Sequence, residues 1–268
     1  MKKIIIIIKN NPIRFGVILL SSIVFFISTF MVIKITLDYN KGKETYNNIT
    51  EQVVTPVSSA SSTVDAPVVS NPEKDLNTPP ISVDFSKLKK INEDIVAWIY
   101  CEDTPINYPI VDTDSDKDYD VYLKTSVDGK QSVSGSIFLD YRNSIDLTDL
   151  NTIIYGHSMK NGTMFAYLLR YDDQDFYDNH KHMWLFTENA TYRIDVISGS
   201  EVVSTSEDYI IYTDKNIFNE YLNNSVKKSN FKSDVNLSDV RNIITLSTCA
   251  YSSEDSRYVV LGNMVKID

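Results

Sequence analysis

The hydrophobic residues of this chain follow three different patterns along its length. Residues 15–33 form a run without a charged side chain, and such a run is about as long as a helix that crosses a hydrocarbon core. From residue 38 to residue 80 Ser, Thr, Val, Pro and Asn predominate, a composition typical of a flexible tether. After residue 80, short apolar runs alternate with turn residues, which predicts many short strands. The pattern therefore predicts an anchor, a linker and a globular domain over residues 81–268.

The charges that flank the apolar run predict its orientation. Four basic residues precede it (Lys2, Lys3, Lys9 and Arg14), whereas the basic residues that follow are mixed with acidic ones. Under the positive-inside rule, residues 1–14 are cytoplasmic and residues 15–37 cross the membrane once. A cleaved signal peptide is the alternative, but no small-residue cleavage site follows Ile33. The sequence thus predicts a single-pass protein of the cell membrane with an extracellular linker (residues 38–80) and domain.

Within the globular domain, spacing separates helices from strands. Apolar residues three and four apart predict a helix from Asp84 or Ser86 to Val96, two short helices over residues 119–124 and 164–171, and a longer helix over residues 216–230. Strands are predicted over residues 98–100, 106–111, 135–140, 152–155, 183–186, 191–197, 243–249 and 258–261. Many short strands with few helices indicate a mostly β domain, an antiparallel barrel or sandwich.

Charge and composition exclude some partners. A net charge of -10 leaves no basic stripe for nucleic acid. His180 and His182 have no cysteine pair beside them, so they make a poor zinc site. The aspartates of residues 112–120 lack the turn glycine and closing glutamate of a calcium loop, and we interpret them as a solvated loop. We therefore expect no metal and no cofactor.

The chain has two cysteines, Cys101 and Cys249. A disulfide between them is arithmetically possible, but a bridged Cys249 would have no nucleophilic thiol. The charged loop that follows Cys249 favours a free thiol at that position. Cys101 is interpreted as a cysteine within a strand.

Three residues have the chemistry that acyl transfer requires. Cys249 ends a predicted strand, Arg257 lies one loop later, and His157 follows another strand. An imidazole can favour the thiolate and later protonate a leaving amine. A guanidinium can stabilise an oxyanion. Each residue alone also has a structural interpretation, as a core thiol, a turn histidine or a surface arginine. Spacing does not show whether residues 157 and 249 meet.

Three motifs resemble those of one enzyme family. Residues 245–249, Thr-Leu-Ser-Thr-Cys, resemble the Thr-Leu-x-Thr-Cys signature of sortases, the membrane-anchored cysteine transpeptidases of Gram-positive bacteria. Tyr155-Gly156-His157 is similar to the histidine motif of that family, and Arg257 with the following Tyr-Val-Val is similar to its arginine motif. The resemblance covers residues 85–268. Residues 138–143, Phe-Leu-Asp-Tyr-Arg-Asn, and the helix over residues 216–230 resemble class B.

The resemblance implies a fold and a reaction. The fold would be an eight-stranded sortase β-barrel with an N-terminal helix and a helix inserted before the last two strands. Cys249 would attack the Thr carbonyl of a C-terminal sorting motif, His157 would protonate the leaving amine, and Arg257 would stabilise the oxyanion. Residues in supporting or substrate-binding roles would be Ser247, Thr248, Tyr155 and Asn143.

The resemblance also implies partners. These would be surface proteins with a Pro-x-Thr type motif and an amine of peptidoglycan, to which the surface protein is transferred. Three alternatives stay open. The same residues would serve a cysteine hydrolase that uses water as acceptor. The acceptor would be a lysine of another protein in a pilus-polymerising sortase. A non-catalytic surface-binding domain would carry Cys249 in its core.

Overall fold

The computed structural model of the chain describes residues 12–57, 76–112, 121–250, 252–253 and 255–267. Its longest element is helix α1 (Pro12–Val53). The large apolar side chains between Ile13 and Leu37 are exposed. The helix is long and apolar enough to cross a membrane, with a mean hydropathy of 2.5 in its most apolar window. The predicted anchor, residues 15–37, thus lies within α1.

The structure differs from the predicted linker (residues 38–80), because α1 continues well into it. Tyr46, Ile49 and Val53 are spaced three and four residues apart and are at most 5% exposed, so they form a buried face of the helix. Strand β1 (Val54–Pro56) then pairs with β2 (Ile81–Val83). The compact unit that contains the globular domain therefore begins at Gly42 rather than at residue 81. Residues 58–75 lie outside the described residues.

Helix α2 (Phe85–Ile91) is shorter than the predicted helix that ended at Val96. Asp84 caps it by accepting a hydrogen bond from the Lys87 backbone N–H. At its end, the Asn92 side chain accepts a hydrogen bond of 2.9 Å from the Asp94 backbone N–H. This local turn ends the helix. Ile95, predicted to be helical, instead begins the first barrel strand.

Eight strands form a closed barrel, as the sortase resemblance implied. They are β3 (Ile95–Tyr100), β4 (Asn107–Val111), β5 (Ile137–Leu139), β6 (Asn151–Tyr155), β7 (His182–Thr187), β8 (Thr191–Val203), β9 (Ile243–Cys249) and β10 (Ser256–Ile267). The order around the barrel is β10-β8-β7-β3-β4-β5-β6-β9. Most neighbours are antiparallel, but β4–β5 and β6–β9 are parallel.

The remaining helices lie in the connections between strands. They are α3 (Val121–Lys124), α4 (Gln174–Asn179), α5 (Lys215–Lys228) and short 3₁₀ helices at Phe165–Asp172, Glu207–Tyr209 and Leu237–Asp239. Helix α5 precedes β9, as predicted for residues 216–230, and its buried Phe218 and Leu222 join a core cluster with Ile197 and Leu261 of the barrel. Residues 113–120 of the predicted solvated loop lie outside the described residues.

Candidate active site

Strands β9 and β10 bring Cys249 and Arg257 together. The two residues are directly paired in the antiparallel register, so their side chains project from the same face of the sheet. Cys249 is a half-buried free thiol, and Cys101 is a buried free thiol. The predicted free state of Cys249 is therefore confirmed. The Arg257 guanidinium donates a hydrogen bond of 3.0 Å to the Ser256 carbonyl.

Strand β6 brings His157 to the other side of Cys249. Tyr155 of β6 is paired with Ser247 of the parallel strand β9. His157 lies two residues after Tyr155, and Cys249 lies two residues after Ser247. Because parallel strands advance in step, His157 is level with Cys249. The order across three neighbouring strands is thus His157, Cys249, Arg257.

Two hydrogen bonds extend the pairing of β6 and β9 as far as Gly156, the residue before His157. The Gly156 backbone N–H donates to the Ser247 carbonyl over 3.1 Å. The Thr248 hydroxyl donates to the Gly156 carbonyl over 2.8 Å. Thr248 therefore supports the histidine segment by attaching it to the strand that carries Cys249.

A backbone carbonyl determines the tautomer of His157. The Nε2 atom lies 2.8 Å from the Leu123 carbonyl oxygen. A carbonyl only accepts hydrogen bonds, so Nε2 carries a hydrogen. The Nδ1 atom is left as the nitrogen that can take up or release a proton. The spacing of residues along the sequence gave no indication that Leu123, in α3, belongs to this site.

Gly135 lies directly against the His157 ring. Its φ of 56° is in the left-handed region. A β-carbon at this position would lie 2.7 Å from the Tyr122 carbonyl oxygen and 3.0 Å from His157 Cδ2. Only glycine satisfies both the backbone conformation and the close approach. The segment before β5 therefore forms one wall of the histidine site.

Tyr209 is a site residue that sequence reasoning missed. Its hydroxyl lies 2.8 Å from Ser247 Oγ, and its ring stacks on that of Tyr155 with centroids 6.0 Å apart. Burial raises the pKa of Tyr209 to about 12, against a smaller lowering by Ser247 and Arg257. Its hydroxyl is therefore neutral at pH 7. No periodic pattern around residue 209 distinguishes it from other surface-loop tyrosines.

Tyr155 continues this polar network away from Cys249. Its hydroxyl donates a hydrogen bond of 2.8 Å to Asp140, which also accepts bonds of 2.8 and 2.6 Å from the Arg142 guanidinium. Burial favours the neutral form of Asp140, but the donors from Arg142 and Tyr155 outweigh it and lower the pKa of this carboxyl. Asp140 is therefore a buried carboxylate that orients Tyr155.

Replacing Asp140 by Asn should test this network. Because the folded state lowers the pKa of Asp140, its stabilising contribution is present at pH 7 and is lost as the pH falls below about 4. We expect Asp140→Asn to lower the free energy of unfolding at pH 7 by about 1–3 kcal/mol. The difference in free energy of unfolding between pH 7 and pH 3 should also be smaller for Asp140→Asn than for the unmodified chain.

Urea denaturation at both pH values measures this effect. Asp178→Asn provides the control, because its carboxylate is half exposed and lies 3.9 Å from Lys181. If Asp140→Asn left the difference between pH 7 and pH 3 as large as in the unmodified chain, the structural role of the carboxylate would be wrong.

Asn143 lies beside β6 rather than beside Cys249. Its amide donates to the Asn151 carbonyl over 2.8 Å, and its side-chain oxygen accepts from the Ile153 backbone N–H over 2.8 Å. A further bond of 2.8 Å goes to Asp149. Of the two predicted roles, supporting or substrate-binding, these contacts fit support of the strand that leads to His157.

The other two histidines have local partners. His180 Nδ1 lies 2.8 Å from the Phe176 carbonyl, and His182 Nδ1 lies 2.8 Å from Asp195. Within the part of the chain that the structure describes, no group of three or more His, Cys, Asp or Glu side chains is arranged to hold a metal ion.

Comparison with known proteins identifies the family. The Sortase domain family model matches residues 99–265, a range that contains His157, Cys249 and Arg257. The chain belongs to the sortase family. Sortase B of Staphylococcus aureus (strain NCTC 8325 / PS 47) is 36% identical over 188 residues, which are 68% of this chain and 75% of that protein. This sortase is therefore a cysteine transpeptidase of class B.

A second relative and a solved structure extend the match. Sortase B of Listeria monocytogenes serovar 1/2a (strain ATCC BAA-679 / EGD-e) is 35% identical over 230 residues, 84% of this chain and 89% of that protein. A crystal structure of sortase B from Bacillus anthracis is 30% identical and covers 86% of this chain and 99% of its own, with a TM-score of 0.66. An N-terminal helix that is apolar enough to span a membrane fits a membrane-anchored sortase.

Proposed function

We propose that this sortase cleaves a C-terminal sorting motif after its Thr residue and transfers the surface protein to an amine of peptidoglycan. His157, Cys249 and Arg257 are the proposed catalytic residues. The observation that supports this proposal is their arrangement around the barrel: Arg257 is paired with Cys249, and His157 follows β6 by two residues, β6 being the parallel neighbour of the strand that ends at Cys249. Such an arrangement would put a base and a cation on opposite sides of one thiol.

The first half-reaction forms a thioester. Nδ1 of His157 takes the proton of the Cys249 thiol, and the resulting thiolate attacks the Thr carbonyl carbon, whose oxygen becomes an oxyanion beside the Arg257 guanidinium. The amide C–N bond then breaks, and the leaving amine takes a proton from Nδ1 of His157. The hydrogen bond from Nε2 to the Leu123 carbonyl holds the ring in the orientation for this transfer.

The second half-reaction resolves the thioester. An incoming amine attacks the carbonyl carbon and releases the Cys249 thiolate, while Nδ1 of His157 accepts the proton that the amine loses. One solved sortase B, which is 35% identical to this chain with a TM-score of 0.62, is complexed with triglycine. That complex supports a peptidyl amine as the acceptor class. A cysteine hydrolase with water as the acceptor is the second candidate function.

The proposal includes the substrates and the cellular location of this sortase. Tyr209 and Ser247 form a hydrogen-bonded pair beside Cys249 and would contact a Pro-x-Thr type motif. Residues 1–14 would be cytoplasmic, α1 would cross the membrane once, and the barrel would face the cell wall outside. This location would present the site to secreted surface proteins and to peptidoglycan.

Peptide cleavage by the full chain in detergent micelles tests the proposal. Peptides with Pro-x-Thr motifs are incubated with and without triglycine or diaminopimelate, and products are identified by mass. We expect cleavage after Thr, an acyl adduct on Cys249 and an amine-linked product. If only hydrolysis products form at every amine concentration, the cysteine hydrolase is favoured. No adduct with any peptide, together with an unreactive Cys249 thiol, would overturn the catalytic proposal.

A further inference from the structure

Tyr46 of α1 is buried inside the compact unit that contains the barrel. Its side chain is 3% exposed, and the unit that includes it spans Gly42–Asp268. The Tyr46 hydroxyl lies 2.6 Å from the Gly135 carbonyl and 3.2 Å from Ser136 Oγ. A residue that the sequence pattern assigned to a flexible linker thus contacts the wall of the histidine site.

The contact with Gly135 leads to the side chain of His157. Gly135 borders the imidazole ring, because its missing β-carbon would lie 3.0 Å from His157 Cδ2. The next residue, Ser136, donates its backbone N–H to the Tyr122 carbonyl over 2.8 Å. Leu123, adjacent to Tyr122, provides the carbonyl that accepts from His157 Nε2. Tyr46 therefore anchors the segment formed by Gly135 and Ser136. This segment packs on the imidazole ring and is hydrogen-bonded to Tyr122, the neighbour of the ring's acceptor Leu123.

A second set of contacts leads from Tyr46 to the backbone of His157. The Tyr46 ring packs edge-on against Tyr108, with centroids 5.3 Å apart. The Tyr108 hydroxyl accepts a hydrogen bond of 2.9 Å from the Met164 backbone N–H. The next residue, Phe165, donates its backbone N–H to the His157 carbonyl over 2.9 Å. Tyr46 thus contacts the supports on both sides of the histidine.

We infer that Tyr46 is a positioning residue for His157. It does not touch the reacting atoms, but it holds Gly135 and Tyr108, which together fix the ring and the backbone of the histidine. Residues 42–53 of α1 are then a component of the active site's support as well as a connection to the predicted anchor. This inference rests on the proposed catalytic role of His157.

Tyr46→Phe tests the inference, because it removes one hydroxyl and keeps the ring on Tyr108. We expect kcat for peptide transfer to fall about tenfold with KM nearly unchanged, since small displacements of a reacting group are costly. The pH profile of Cys249 alkylation by iodoacetamide should also shift, because the alkylation rate follows the thiolate fraction that the imidazole favours. A general loss of stability alone would not move that profile.

The matched control is Tyr177→Phe. Tyr177 is also buried, 1% exposed, and its hydroxyl bonds to Ser233 Oγ over 3.1 Å and to the Asp234 backbone N–H over 3.0 Å. We expect this variant to lose stability without a change in kcat or in the alkylation profile. Tyr108→Phe is the second variant. It removes the acceptor of the Met164 bond and should act in the same direction as Tyr46→Phe.

His157→Gln separates failure of the inference from failure of the proposed function. If His157→Gln leaves the alkylation profile unchanged, the proposed role of His157 is wrong. If His157→Gln alters the profile but folded Tyr46→Phe and Tyr108→Phe do not, only the positioning role of Tyr46 is wrong. The inference would also be overturned if kcat fell equally in Tyr46→Phe and Tyr177→Phe, in proportion to the fall in melting temperature of each variant.

Discussion

A Cys249→Ala variant is expected to fold normally and to lose transpeptidation, with a fall in kcat on the order of 10⁶-fold, as is seen when a covalent nucleophile is removed. The physical reason is that no acyl-enzyme can form without the thiol. Cys249 is only half buried and ends its strand, so the truncation leaves no large cavity in the core. Mass spectrometry of the enzyme with peptide should show the acyl adduct on the unmodified chain and none on the variant.

Cys101→Ala is the matched control for this result. Cys101 is the second thiol of the chain and is 1% exposed, so its removal should lower stability while transfer activity remains. Full transfer activity in Cys249→Ala would mean that another group forms the covalent bond. The non-catalytic interpretation predicts a further pattern, in which neither thiol of the folded protein reacts with iodoacetamide.

His157→Gln is expected to lower kcat by about 10²–10⁴-fold, the usual contribution of a general acid–base group. Glutamine is chosen because its side-chain amide can still donate a hydrogen bond to the Leu123 carbonyl, as Nε2 of His157 does over 2.8 Å. The variant thus removes the nitrogen proposed to transfer the proton, Nδ1, and keeps the hydrogen bond to Leu123. Steady-state rates of the variant and of the unmodified chain are compared from pH 5 to 9, and any step that depends on the imidazole should be absent from the variant.

His182→Gln is the control for the histidine substitution. Its ring bonds to Asp195 over 2.8 Å in strands β7 and β8, which do not carry the three proposed catalytic residues. We expect this variant to keep the pH profile of the unmodified chain. A His157→Gln enzyme with the original rate and pH profile would exclude the imidazole from proton transfer and leave the thiol to be activated by Arg257 alone.

Local patterns predicted part of this arrangement correctly. The strand that ends at Cys249 and the apolar run after Arg257 are separated by a short polar loop, and a short loop favours antiparallel neighbours. The structure pairs Cys249 with Arg257 in this way. The longer helix before the last two strands was also evident from its spacing, because its apolar residues form one face that packs on the barrel.

The position of His157 beside Cys249 could not be derived in the same way. It depends on the parallel pairing of β6 with β9, whose residues are about 90 positions apart, and no local spacing predicts a contact of that range. Only the resemblance to sortases linked His157 to Cys249, through the roles that the family's motifs imply, and it did not predict this strand pairing. The contact of Tyr209 with Ser247 could not be predicted for the same reason, because the short 3₁₀ helix that carries Tyr209 reaches Ser247 only through tertiary folding.

The structure differs from the predicted linker over residues 38–80 for another physical reason. Residues 38–53 are mostly polar, and composition averaged over such a window resembles that of a tether. Tyr46, Ile49 and Val53 nevertheless line up on one helical face and are buried. Only a narrow apolar stripe is needed to dock a helix whose other faces remain in water.

The parallel pairing of β6 and β9 also has a consequence for when the enzyme acquires its reactivity. The bond from the Thr248 hydroxyl to the Gly156 carbonyl joins residues 92 positions apart. A contact of such range must overcome a large loop-closure entropy and forms slowly. Before that step the imidazole and the thiol are on separate parts of the chain, and the cysteine has only the low nucleophilicity of an ordinary thiol. Under the proposed mechanism, Cys249 would therefore gain the assistance of His157 only when the barrel closes.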